Sequence, residues 1–174
     1  LSVRGEFNYV RPFMYTHTDA RQNYAHFGEA LAHPYGSGFW EGLLQGEWRR
    51  DGWLLSDVVS YALLGRDSTD GPNSSYGNDL FRSDRERPLR DGVRPEQYGY
   101  YIGKPGAVGV LHNELRLSRV LEPRSGLLLQ LAYTLRLETP EGGATWATHW
   151  VRAGLVAEFG QGQPMQVQRS FLAR

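Results

Sequence analysis

Between Gly126 and Glu138 the chain reads GLLLQLAYTLRLE, and every odd position from 127 to 137 is apolar: Leu127, Leu129, Leu131, Tyr133, Leu135 and Leu137. The even positions carry Leu128, Gln130, Ala132, Thr134, Arg136 and Glu138. Successive side chains of a β-strand point to opposite faces, so this alternation describes a long strand with one wholly apolar face and one mainly polar face. Strands of soluble proteins commonly run about 5–6 residues, whereas a strand that crosses a membrane needs about 9–11. The segment has the second length.

The same two-residue period recurs elsewhere. Leu1, Val3, Gly5, Phe7 and Tyr9 alternate with Ser2, Arg4, Glu6 and Asn8, and in FWEGLLQGEWRR the even set Trp40, Gly42, Leu44, Gly46, Trp48 alternates with Glu41, Gln45, Glu47 and Arg49. Eight strand steps separate Trp40 from Trp48, which at about 3.3 Å per residue and a tilt near 40° is roughly 20 Å of height. That approaches the spacing of the two aromatic girdles on a membrane barrel, whose apolar band is about 25 Å tall. The pair is therefore a candidate membrane girdle. Asp51–Gly52 supplies residues that accept positive φ and marks a tight hairpin. In the return strand Asp57 shares parity with Trp53, Leu55, Val59 and Tyr61, so a bulge that changes the facing is expected there.

Strands are expected at about 1–15, 39–49, 53–64, 107–121, 126–138, 144–159 and 164–172, with long irregular loops at 16–38 and 66–106. The connections EPRSG, TPEGG and GQGQP are short and turn-rich. Helical periodicity is hard to find; the best candidate, HFGEALAH, is too short and contains a glycine. The fold class expected is all-β: a single region of antiparallel transmembrane β-barrel with short periplasmic turns and long extracellular loops. About seven strands fall short of an even-numbered closed barrel, so a portion of a larger barrel is expected. The alternative on the same pattern is a soluble carbohydrate-binding β-sandwich or barrel module, in which the apolar face is a core and the polar face meets water.

Composition removes several function classes. Nineteen basic and nineteen acidic residues cancel, leaving no basic footprint for nucleic acid. The chain has no cysteine, which excludes disulfides, thiolate zinc sites and cysteine nucleophiles. No apolar run is long enough for a transmembrane helix. The start, LSVRGEFNYV, has neither the basic end nor the apolar core of a secretory signal, so a removed signal or a longer polypeptide is expected.

The stretch RPFMYTHTDARQNYAHFGEALAHPYGSGFWE carries a pattern of its own: Arg11, Pro12, Tyr15, His17, Asn23, Tyr24, His26, Leu31, Ala32, His33, Pro34, Gly36 and Phe39. Two further blocks follow in order, NSSYGNDLFRSDRERP from Asn73 to Pro88 and YGYYIGKPG from Tyr98 to Gly106. Together they resemble outer-membrane proteins of the capsule-assembly Wzi-like group, especially the gliding-motility RemB-like proteins of Bacteroidetes. The resemblance spans most of the chain and implies the C-terminal part of a larger barrel in the cell outer membrane. It further implies a role in surface polysaccharide assembly or in gliding and secretion machinery. Outer-membrane lipid, surface polysaccharide and other envelope subunits are the implied partners. One departure concerns the end, where Phe171 stands three residues before the terminus although many barrels finish on an aromatic residue.

The chemistry-bearing residues point away from catalysis. His17, His26 and His33 share one loop, but no two have the i, i+2 or i, i+4 spacing of a metal pair; His26 and His33 are expected to bond backbone carbonyls. Asn23, Tyr24, His26, His33, Tyr76 and Asn78 are candidates for loop framework or ligand contact. In DSTDGPNSSYGND, Asp67, Asp70 and Asn73 are the oxygen donors a calcium ion would use, without EF-hand spacing. Tyr76, Tyr98, Tyr100 and Tyr101 are candidates for carbohydrate contact. No G-x-S-x-G elbow is present, and Asp84 and Glu86 sit among arginines rather than as a glycosidase pair. No enzyme activity, metal or cofactor is expected. The polar faces, with Arg4, Glu6, Glu47, Arg49, Glu114, Arg116, Arg136, Arg152 and Glu158, mix both signs as a barrel lumen would.

Overall fold

A computed structural model describes residues 1–68, 71–93, 98–123 and 125–157. Six long strands form one antiparallel sheet: β1 (Ser2–Val10), β4 (Phe39–Arg50), β5 (Trp53–Arg66), β6 (Gly106–Glu122), β7 (Leu127–Pro140) and β8 (Trp146–Val156), in the order β1-β4-β5-β6-β7-β8. Two-residue strands β2 (Ala25–His26) and β3 (Glu29–Ala30) make a separate hairpin. Among the described residues β1 and β8 each pair on one side only. The expected strand at 164–172 lies outside the described residues.

Each long strand pairs with the next one in sequence, and the hydrophobic period sets the register, since a slip of one residue would swap every side chain between faces. Asp51 and Gly52 both take positive φ, 49° and 76°, in the two-residue turn joining β4 to β5. The β4–β5 and β6–β7 turns lie at one end of the sheet. The long loops 11–38 and 67–105 lie at the other. The TPEGG turn between β7 and β8 falls at the long-loop end, so short connections are not confined to one end.

Two local expectations are corrected. The first strand ends at Val10 rather than near residue 15: Pro12 cannot donate to a ladder, and Phe13 adopts a left-handed φ of 62°. No bulge occurs at Asp57; β5 pairs with both neighbours in unbroken register, Gly46↔Asp57↔Leu115, and the register shift falls instead between Val120 and Glu122. Asp57 therefore stays on the apolar face. HFGEALAH forms the β2–β3 hairpin, with Phe27 and Gly28 at positive φ in its turn.

The two faces have unusual exposure. On the apolar face Leu44, Leu129 and Leu131 are 52%, 49% and 51% exposed. On the mixed polar face Glu41, Ser60 and Ala132 are 6%, 3% and 3% exposed. The core sits at the long-loop end of this second face, where the register aligns Val10, Phe39, Leu64 and Val108 in one row and the loops fold over them.

Candidate functional site

The long loops interlock through two asparagines. Asn23 lies in the first loop, and its amide Oδ1 accepts from the His17 N–H (2.6 Å) while Nδ2 donates to the carbonyls of Leu80 (2.6 Å) and Arg82 (2.9 Å) in the second. A buried amide with three partners is well satisfied, and here it replaces a sheet ladder the irregular backbone lacks. Asn78 answers from the second loop, donating to Asp67 Oδ1 (2.8 Å) and the Lys104 carbonyl (2.7 Å). Its Oδ1 packs against the backbones of Gly38 and Gly65, and a Cβ at either glycine would overlap it. Gly38 also has φ +70°, so it needs glycine on both counts. The loops are further joined by Phe13 N–H to the Gly77 carbonyl (2.9 Å) and Ser37 Oγ to the same carbonyl (2.7 Å).

Asp67 organises the second loop. Its carboxylate accepts from Ser75 Oγ (2.9 Å), Tyr76 N (3.0 Å), Asp79 N (3.2 Å) and Asn78 N (3.4 Å), besides the Asn78 amide. Those lone pairs face hydrogen-bond donors, the opposite of what calcium requires. Asn73 is exposed, and Asp70 lies outside the described residues. A cleft of about 460 Å³ beside Asp67 is lined by Arg66, Asp79 and Arg82, and Arg82 is bound to Glu86 and to the Ser68 and Gly71 carbonyls. A Ser83–Glu86 capping box holds the short 3-10 turn Asp84–Glu86.

Aromatic rings fill the space between the loops. Phe13 meets Tyr100 edge-on (4.9 Å), Tyr76 meets Tyr100 (5.8 Å), and the Arg87 guanidinium lies over Phe13 (5.8 Å). Burial pushes the Tyr100 phenol above its ordinary pKa, with Arg87 and Arg90 opposing. Of the four tyrosines considered for carbohydrate contact, Tyr76 and Tyr100 therefore pack internally, and Tyr98 and Tyr101 are exposed.

His33 joins the first loop to the sheet. Its Nδ1 accepts from the Tyr35 N–H (3.3 Å), which leaves Nε2 to donate to Glu41 Oε2 (3.1 Å), and the ring stacks on Phe39 at 4.4 Å. The expectation of a backbone carbonyl partner is corrected: the sheet offers a buried carboxylate, a stronger acceptor. Tyr35 closes the same corner, and burial first and the nearby Glu41 charge second raise its pKa. His26 is exposed and packs on Phe27 (4.1 Å); Tyr24 meets Tyr15 at a tilt (5.6 Å). His17, His26 and His33 do not converge, and among the described residues no three His, Asp or Glu side chains form a metal-ligand group.

Below this cap the polar face carries compensating charge. Arg4 pairs with Glu6 (3.5 Å), Asn8 bridges Glu6 and Glu41 (each 3.3 Å), Arg152 and Arg116 share Glu114, and Arg66 and Arg136 share Glu138. Arg49 lies 3.9 Å from Glu47, and Glu158 lies outside the described residues.

The apolar face is banded by aromatic rings. Trp40 and Trp48 share it; Trp40 stacks on Phe7 (6.4 Å) and meets the Tyr61 ring at a tilt (5.5 Å), with Tyr9 alongside in the register. At the short-turn end Trp48 is joined by Trp53, which the sequence reading did not single out although its parity pointed there. Between Trp53 and Leu63, the partner of Trp40, lie ten steps of β5, or about 25 Å of height at a tilt near 40°. Two polar pairs interrupt the band: Asn113 donates to Asp57 (2.7 Å), and the Tyr133 hydroxyl meets His149 Nδ1 (2.8 Å). Period alone could flag Asp57 but not its partner on another strand.

Comparison with protein-family models, with curated proteins and with solved structures finds no match.

Proposed function

We propose that this chain is a portion of an antiparallel transmembrane β-barrel of the bacterial outer membrane, non-enzymatic, serving surface polysaccharide assembly or attachment, or gliding and secretion machinery. One observation carries the membrane reading: the sheet leaves large side chains of its apolar face about half exposed, while the residues buried within the sheet, Glu41, Ser60, Ser118 and Ala132 among them, lie on its polar face. A fully buried leucine contributes about 1.5–3 kcal/mol, so six leucines that are 37–52% exposed (44, 55, 115, 117, 129, 131) would forgo roughly 4–8 kcal/mol in water. That is on the scale of a whole domain's stability, about 5–15 kcal/mol. Lipid against the band between the aromatic rows removes the deficit, and the ion-paired face then lines the lumen.

The polysaccharide role rests on the resemblance of the Arg11–Phe39 and Asn73–Pro88 segments to the Wzi-like group. Those segments build the interlocked cap, which in this reading stands at the extracellular rim with the β4–β5 and β6–β7 turns facing the periplasm. A soluble sandwich would instead need a second sheet over Leu44, Leu129 and Leu131, and among the described residues none covers them.

Fractionation and reconstitution test both parts. The protein should require detergent or lipid to stay folded and monodisperse, and cells lacking it should shed surface polysaccharide or lose surface motility. A folded monomer in plain buffer with these leucines protected would refute the membrane reading. Intact polysaccharide and motility in the deletion strain would refute the role.

A further inference from the structure

At the short-turn end of the apolar face three residues stand in one row on adjacent strands: Arg50 on β4, Trp53 on β5 and Arg119 on β6. Neighbouring strands lie about 4.8 Å apart, so the two arginine backbones are roughly 10 Å from each other with the indole between them. Arg119 is held in place: its guanidinium carbon lies 5.0 Å over the Trp53 ring and Nη1 donates to the Asp51 carbonyl at 2.6 Å. A guanidinium has five N–H donors, so this bond anchors the group without exhausting it. Arg50 contacts Asp51 at 3.2 Å, but their side chains are 74% and 83% exposed, and an ion pair so exposed yields readily to a stronger anion.

Directly above this row, toward the middle of the sheet, the same face continues as Trp48, Leu55, Leu117 and Leu131, all partly exposed. A cationic, aromatic row bordering an apolar strip matches one kind of molecule end to end: a phosphodiester headgroup with a hydrocarbon tail. Arginine suits a phosphate because its planar fork binds two oxygens at once. Arg49 is the natural contrast. It adjoins Arg50 in sequence but faces the polar side, beside Glu47.

We propose that the Arg50–Trp53–Arg119 row is a phospholipid site, the two guanidinium groups holding the phosphate of an anionic glycerophospholipid and its acyl chain running inward across the Leu55–Leu117–Leu131 row. The site rests on the membrane reading above and adds to it a defined lipid contact on the short-turn rim.

The test uses the protein reconstituted in phosphatidylcholine bilayers doped with phosphatidylglycerol, with the retained phosphatidylglycerol counted by native mass spectrometry. Insertion is scored separately by protection from protease. Retention should fall about five-fold for each arginine removed, the weight of one basic side chain at an anionic membrane surface, in Arg50→Gln, Arg119→Gln and their double variant. Arg49→Gln should retain the wild-type amount. Unchanged retention in an inserted double variant, or an equal loss in Arg49→Gln, overturns the lipid site and leaves the barrel reading standing. Displacement of the lipid by millimolar inorganic phosphate also overturns it, because the row then recognises phosphate alone. Failure of the wild-type protein to insert refutes the membrane reading itself.

Discussion

Leu44→Arg separates lipid from water at one position. Leu44 lies midway between Trp40 and Trp48 on β4, four residues from each, so at about 3.3 Å per residue and a tilt near 40° it stands roughly 10 Å from either aromatic row. An arginine on the lipid face of a barrel costs about 2–4 kcal/mol at the midplane and about 0–1 near the interface. Leu129 is in the Trp53–Arg119 row at the rim and is equally exposed, so Leu129→Arg is the shallow control. The expected result is a loss of about 2–4 kcal/mol for Leu44→Arg, a factor of roughly 30 to 900 in the folding equilibrium, and at most about 1 kcal/mol for Leu129→Arg. Reversible guanidinium unfolding in phosphocholine vesicles, followed by tryptophan fluorescence, measures both. In water an exposed leucine-to-arginine change stays within about 0.5 kcal/mol wherever it sits. Equal, small effects at the two positions would therefore sink the membrane reading, and equal, large effects would indicate a protein partner over the whole face.

Other perturbations address the cap and the polar pairs. Asn78→Ala removes the bonds to Asp67 and to the Lys104 carbonyl and should cost about 1–3 kcal/mol locally, seen as faster hydrogen exchange across residues 71–93 with β4–β7 unchanged; uniform loss of protection would show that the loops and sheet unfold together. Asn113→Leu leaves the Asp57 carboxylate without its donor on an apolar face and should destabilise by about 1–3 kcal/mol, whereas adding Asp57→Leu should restore wild-type stability or better; a double variant as unstable as the single would mean the pair is not coupled. Burial raises the pKa values of Tyr35 and Tyr100 in the folded protein above the unfolded value of about 10. The neutral phenols therefore stabilise the cap fully below that pH, and the contribution is lost as pH rises through the raised values. In an ultraviolet titration Tyr35 and Tyr100 should ionise above the ordinary tyrosine value, and Tyr100→Phe should remove one such late step.

Much of the sheet is legible in the amino-acid order because a strand's period is two and both faces leave their mark. Leu127 to Leu137 on one parity and Gln130 to Glu138 on the other settle the facing of β7, and Asp51–Gly52 locates a hairpin, from local chemistry alone. The same period says nothing about which face meets the outside. An alternating strand is equally a core strand of a sandwich, and only the assembled sheet decides that Leu131 is exposed and Ala132 covered.

Partners between strands and loops were equally out of reach. Asn23 and Asn78 are recognisable as pattern residues, but their contacts with the Leu80, Arg82 and Lys104 carbonyls span 26 to 59 residues; those of Asn23 depend on two loops folding into each other and that of Asn78 on the second loop closing on itself. His33 finds a carboxylate because Phe39 and Glu41 lie beneath its loop, and Asp67 meets hydrogen-bond donors because the following turn wraps around it. Arg49 and Arg50 make the division plain: adjacency and alternation determine that they face opposite ways, and tertiary pairing with β5 and β6 decides that Arg50 shares a row with Trp53 and Arg119.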